Sequence, residues 1–187
     1  MTNEPHYFIA IPLQEGHKAH FFKWQLNLRE ELPYKQWTNK EDLHITLKFL
    51  GAVNSNKLYF LLNSLNVLKK STQFKITTAS IGFFGSPKKP RVLWAGVEKT
   101  EPLVALHETV EDIAAKSGFQ KDTRSFSPHI TLAKKWNGEG GNKSGLKKQY
   151  DQQLNLTVNQ VVVYRIFPDR TPKYEVVASY ELKREVD

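Results

Sequence analysis

Two tetrapeptides in this sequence are equipped for chemistry. His44-Ile45-Thr46-Leu47 recurs 85 residues later (129 − 44) as His129-Ile130-Thr131-Leu132. In an extended chain, residues i and i+2 project from one face. His44 and Thr46 therefore point together, as do His129 and Thr131, while Ile45, Leu47, Ile130 and Leu132 turn toward a core. Each copy offers one imidazole and one hydroxyl on a common side. Two such copies in one groove suit phosphodiester hydrolysis. One imidazole takes a proton from water while the other gives one to the leaving oxygen. An unperturbed pKa of about 6.5 fits histidine for both jobs. The threonine hydroxyls can hydrogen-bond the non-bridging oxygens, where charge builds in the transition state.

The repeat is hard to ascribe to accident. Six histidines form fifteen pairs. With a chance of about 0.06 per matched position, a shared three-residue tail arises at roughly 0.003. A lone histidine on a strand is usually a structural residue; a matched pair reverses that expectation. His6, His17, His20 and His107 lack such a context and read as surface or local contacts.

These motifs need strands to present them, and the hydrophobic pattern supplies them. Residues 6–12 are short, apolar and aromatic, as in a buried strand. Residues 43–50 alternate as a strand, and residues 129–133 form another. Apolar residues at Ala19, Phe22, Leu26 and Leu32 predict a helix over 16–32, ended by Pro33. Leu58, Leu61, Leu62, Leu65 and Leu68 predict an amphipathic helix over 55–69. Residues 74–83 and 91–97 read as strands around a turn-rich loop. Leu103, Leu106, Val110, Ile113 and Ala114 mark a third helix that stops at Gly118. Residues 138–145 form a polar, glycine-rich loop, and residues 154–167 and 174–182 close the chain as two strands. Helices interleaved with hairpins predict an α+β fold. No flexible linker divides the sequence, so residues 1–187 are expected to form one unit.

Composition narrows the function. The chain has 187 residues, 40% of them hydrophobic, and a net charge of +8. That charge suits either a solvated basic surface or attraction to a polyanion such as nucleic acid. With no cysteine there are no disulfides, thiolate nucleophiles or Cys-based metal sites. Residues 1–13 lack a basic run followed by a long apolar stretch, and no apolar window approaches 18 residues. A cytoplasmic protein with no membrane association is therefore expected. Gly138 to Ser144 only superficially resembles a phosphate-binding loop, because Asn142 stands where that pattern needs glycine before lysine. No Gly-x-Ser-x-Gly elbow is present, so serine hydrolase chemistry has no support. Two His and two Thr, without a carboxylate in either motif, make a poor metal set, and neither metal nor cofactor is expected.

The paired motifs, with Tyr7 to Ile11, Leu43 to Gly51, Arg91 to Gly96, Arg124 to Leu132, Val163-Tyr164 and Tyr174, resemble the two-histidine phosphoesterase superfamily. Within it the likeness is to RNA 2′,3′-cyclic phosphodiesterases, the 2′-5′ RNA ligase family. The resemblance implies a bilobal, pseudo-twofold fold, with two antiparallel-rich sheets flanking a central groove and helices outside. It implies hydrolysis of cyclic phosphates at RNA ends to 2′-phosphates, with His44 as proton donor and His129 as proton acceptor. Thr46 and Thr131 would hold the phosphate. Arg124 matches a position near the nucleotide, and Lys134 stands where relatives often carry arginine. It keeps the charge but not the bidentate fork. Phe126 is expected either to stack on a base or to pack in the core. The partners are RNA ends or cyclic nucleotides, met by a monomer. Two other activities remain open: a nucleotide- or RNA-binding module without catalysis, and a 2′-5′ RNA ligase.

Overall fold

The computed structural model describes residues 4–138 and 143–184. Strand β1 (His6–Pro12) leads into helix α1 (Glu15–Glu31) and the short strand β2 (Tyr34–Trp37). A 3-10 turn, Lys40–Asp42, precedes β3 (His44–Ala52), then α2 (Ser55–Ser64), β4 (Phe74–Gly85), β5 (Pro90–Val97) and α3 (Glu101–Lys116). The chain continues through β6 (His129–Trp136), α4 (Leu146–Gln149), β7 (Asn155–Val158), β8 (Gln160–Ile166) and β9 (Tyr174–Glu181).

The strands form a nine-stranded sheet in the order β7-β4-β5-β6-β3-β1-β8-β9, with β2 on the free length of β6. All of its strand pairs are antiparallel. The two sides of the order are alike only next to the centre. β6, β5, β4 and β7 run outward on one side, and β3, β1, β8 and β9 on the other. On each side a helix separates a strand from the motif strand it pairs with, β1-α1-β3 and β5-α3-β6, with β2 and the 3-10 turn inserted before β3. The two halves meet where Ile45 opposes Ile130, so one ladder passes through the middle rather than two sheets standing apart.

One face of the sheet is covered by the helices. Phe21, Trp24 and Leu28 of α1, Leu61 of α2 and Leu103, Leu106 and Val110 of α3 join the main apolar cluster. β1 shows why this works: Tyr7, Ile9 and Ile11 belong to that cluster, while Phe8 and Ala10 belong to a smaller one on the opposite face with Val162 and Tyr164. A strand buried on both sides needs such a continuous apolar run. The second, smaller cluster floors the side where the histidines emerge.

Four elements differ from the expected pattern. Helix α1 turns Phe21, Trp24 and Leu28 to the core instead of Ala19, Phe22 and Leu26, because the bulky aromatic face carries more apolar surface, and Leu26 is left exposed. The helix predicted over 55–69 breaks after Ser64 into a 3-10 turn, Leu65–Lys70. Leu65 and Leu68 are wholly buried, and the three-residue period keeps both on the core side. The strand predicted over 154–167 divides into β7 and β8, which pair with β4 and β1 respectively. β2 has no counterpart in the expected pattern, because four residues ending in Trp37 carry too little alternation to register. Of the glycine-rich loop, residues 139–142 lie outside the described residues. Among the described residues no helix is long and apolar enough to cross a membrane.

Candidate active site

His44 and His129 each open their strand, and each is held in the same way. The Nδ1 of His44 lies 2.7 Å from the Asp42 carbonyl, and the Nδ1 of His129 lies 2.7 Å from the Ser127 carbonyl. A carbonyl oxygen only accepts, so both Nδ1 atoms carry the proton. In the neutral ring this leaves Nε2 with a free lone pair on each histidine. The Nε2 of His44 accepts from the Thr46 hydroxyl at 2.9 Å.

Aromatic rings wall both imidazoles. His44 lies 4.7 Å from the Phe8 ring, 5.4 Å from Tyr174 and 6.0 Å from Tyr164. His129 lies 4.9 Å from Phe84, edge to face, and 6.3 Å from Trp94. This desolvation depresses both pKa values, because burial disfavours the charged ring. His44 falls to about 4; burial dominates, the Asp42 carbonyl opposes it, and Lys134 and His129 add repulsion. His129 is also lowered, by burial first, against the Ser127 carbonyl and with Lys134. Lys134 thus acts on both rings. Lys134 is itself lowered, by burial and then by Lys173. Burial pushes the Tyr164 hydroxyl up to about 12, with Asp42 adding to the rise.

Two matched β-bulges shape this face. Along β3 the pairing passes from Ala10↔Thr46 to Ile9↔Lys48, and along β6 from Trp94↔Thr131 to Leu93↔Ala133. Leu47 and Leu132 are thus the extra residues, and each resets the alternation that follows. Lys48 and Ala133 turn inward and are buried. Lys134 returns to the imidazole side, where strict alternation from His129 would have put Lys135. Gln25 of α1, wholly buried, donates its side-chain amide to the carbonyls of Leu132 and Thr38, both at 2.8 Å, and so pins the second bulge.

The expected site residues divide into two groups. His44, Thr46, His129, Thr131 and Lys134 share one face. Arg124 is elsewhere engaged: its Nε and a terminal nitrogen donate to the two oxygens of Asp122 at 3.0 and 2.7 Å, in an exposed pair. That pairing holds the Asp122 carboxyl well below its ordinary range. Phe126 stacks flat on His107 of α3, with centroids 3.9 Å apart, and packs against the main core, which is the packing alternative rather than the base-stacking one. Several participants escaped the sequence. Asp42 is buried, and its carboxylate accepts the backbone N–H groups of Lys173 and Tyr174 at 2.9 to 3.1 Å. It thereby ties the start of β9 to His44. Phe8, Tyr164, Phe84 and Trp94 gave no local signal, since their role depends on strand pairing. The described residues hold no group of three or more His, Asp or Glu able to hold a metal ion.

Comparison with known proteins gives the family. The sequence pattern of the 2′-5′ RNA ligase superfamily matches residues 17–167. The chain belongs to this superfamily. A Bacillus subtilis relative named RNA 2′,3′-cyclic phosphodiesterase is 32% identical over 95% of this chain and 97% of its own length. A Geobacillus stearothermophilus relative of the same name is 36% identical over 95% of this chain; the chain spans 57% of that longer protein. Among solved structures, Escherichia coli LigT complexed with 3′-AMP has a TM-score of 0.78 at 23% identity, covering 96% of this chain and 99% of LigT. That likeness shows the fold.

Proposed function

We propose that this chain is an enzyme that hydrolyses 2′,3′-cyclic phosphates at RNA ends to 2′-phosphates. The observation that carries the reading is the matched pair of imidazoles, each fixed by Nδ1 donation to a carbonyl two residues upstream. Both rings thereby keep Nε2 for chemistry. The names of the relatives supply the substrate class.

In the proposed reaction, water attacks phosphorus and the bond from phosphorus to the 3′ oxygen breaks. His129 Nε2 takes the water proton, and His44 Nε2 gives a proton to the departing oxygen. Lowered basicity suits His129, which must arrive neutral. His44 rests neutral in the empty groove, with Nε2 accepting from Thr46. A bound phosphate anion favours the imidazolium and draws the Thr46 hydroxyl to a non-bridging oxygen. Thr131 and Lys134 hold the remaining charge.

Turnover of a 2′,3′-cyclic nucleotide tests this. His44→Ala and His129→Ala should each lower kcat by about 10²-fold or more. The double variant should be little worse, because the two rings act as a unit. A single variant with near-normal kcat removes that histidine from the mechanism. Binding without turnover in the unaltered protein would make the chain a nucleotide-binding module instead.

A further inference from the structure

We infer that the cleft between β2, the Lys40–Asp42 turn and the start of β9 is a subsite for the RNA strand on the 5′ side of the cyclic end. The inference rests on the phosphodiesterase reading and adds a second site to it.

The cleft encloses about 630 Å³. It opens beside the histidines, because Asp42, Lys134 and Tyr174 line it and also touch or influence His44. Its position follows from the fold: β3 leaves the edge of β6 after Ile45, and β2 takes that edge, with Gln36 opposite Lys134 and Trp37 opposite Ala133.

Its charge is strongly positive and unbalanced. Arg29, Lys35, Lys134 and Lys173 line it, and among the described residues none of the four lies in an ion pair with a carboxylate. The acidic residues of the lining are already engaged. Glu41 pairs with Lys18 at 2.7 Å, and the buried carboxylate of Asp42 accepts the backbone N–H groups at the start of β9. Lys40 pairs with Glu15, outside the cleft lining. Trp37 adds a partly exposed aromatic surface, with the Arg29 guanidinium 5.3 Å from its centroid. Cations interleaved with an aromatic ring are what a single-stranded nucleic acid recognises: the charges track phosphates and the ring stacks a base.

Topology gives the polarity. A cyclic phosphate is a 3′ terminus, so the strand can leave the catalytic groove only toward its 5′ end. A rival exit on the far side, a cleft of about 430 Å³ beside Phe126, is lined by Glu108, Glu111, Asp112 and Asp122. Three of these carboxylates pair with Lys48, Lys121 and Arg124, and only Lys99 and Lys121 add positive charge to the lining, so this cleft has no excess of cations to hold phosphates, whereas the β2 cleft has.

The test compares a cyclic-ended hexanucleotide with a 2′,3′-cyclic mononucleotide, using the unaltered protein and Arg29→Ala/Lys35→Ala. Both side chains are exposed, so the fold tolerates the change. The double variant should lose about tenfold in kcat/KM on the hexanucleotide, and its slope against log salt should flatten by about 0.7 for each phosphate no longer neutralised. The mononucleotide rate should stay within about twofold of the unaltered protein's, since one phosphate never reaches the cleft. An unchanged hexanucleotide rate, or equal losses on both substrates, overturns the subsite. If the unaltered protein turns over neither substrate, the catalytic reading fails on its own. Equilibrium binding of the labelled hexanucleotide then judges the cleft: weakening by about tenfold in the variant supports it, and unchanged binding overturns it.

Discussion

Ile45 of β3 lies directly opposite Ile130 of β6, and both are wholly buried. Each follows its histidine by one residue. Strand geometry therefore sends the two imidazoles out of adjacent strands on the same face, away from the helices. The imidazole pair is set by one core contact, and what surrounds it sets its basicity.

The first consequence concerns pH. The scheme needs one proton shared between two imidazoles, and both are depressed below their ordinary 6.5, His44 to about 4. The two apparent values belong to the pair. The profile of kcat/KM should therefore be a bell centred below pH 6.5, falling tenfold per unit on its basic limb. Stability should run the other way. Between about 4 and 6.5 the unfolded chain binds more protons at His44 than the folded one, so stability rises with pH through that window. It is fully present above about 6.5. A rate optimum above pH 7.5, or a melting temperature that rises on acidification from 6.5 to 4.5, contradicts this account.

A second prediction follows from the donor set. Two imidazoles, two hydroxyls and a lysine ammonium at one face suit an anion far better than a divalent cation. Turnover should be unchanged by prolonged chelator treatment. Loss of activity restored by one added metal would show that the groove recruits an ion.

Much of this was legible in the sequence, and the rest was not for identifiable reasons. Both motif strands, β1 and the apolar face of α3 follow from residue periodicity, because a strand or helix packed on one core must repeat its apolar residues; the face of α1 does not, since Phe21, Trp24 and Leu28 are buried while Leu26 is exposed. The roles of Asp42 and Trp94 come from partners more than thirty residues away or across a strand pair, which no local pattern encodes. The bulges at Leu47 and Leu132 are invisible for the same reason: alternation through Lys134 reads as regular until the pairing with β5 is known. The resemblance places Arg124 near the nucleotide, and Phe126 is expected either on a base or in the core. Here local partners, Asp122 and His107, already hold them.

A third prediction concerns the support behind β3. Lys48 points into the core and donates to both oxygens of Glu111 on α3 and to the Gln120 carbonyl, each at 2.9 Å. Glu111 also accepts the Asp122 backbone N–H at 3.2 Å, which fixes the loop leading to His129. Lys48→Met strands a buried carboxylate and should cost about 3–5 kcal/mol. Lys48→Met/Glu111→Leu should recover part of that loss, since it removes the buried charge but leaves the Gln120 carbonyl and the Asp122 N–H without these partners. Urea midpoints at constant m-value measure both. A cost below about 1 kcal/mol for the single change would mean the pair behaves as a solvent-screened one.

The last prediction concerns Gly82. It faces Trp94 across β4 and β5, and a Cβ built there would lie 2.1 to 2.7 Å from the carbons of the indole ring. No ring tolerates that approach, so Gly82→Ala must push Trp94 out of place. Trp94 packs 5.1 Å from Phe84 and 6.3 Å from His129, and opposes Thr131 in the ladder. Its displacement therefore reaches the imidazole and hydroxyl of the second motif together. Overpacking of this kind costs about 1–3 kcal/mol, which leaves a folded protein to assay well below its melting temperature. Under those conditions kcat should fall at least about tenfold, because a misaligned base loses transition-state contact more than ground-state binding. Gly16→Ala is the control. Its Cβ meets nothing within 4 Å in the first turn of α1, so it should leave kcat unchanged. If Gly82→Ala matches the control, Trp94 has no part in positioning His129.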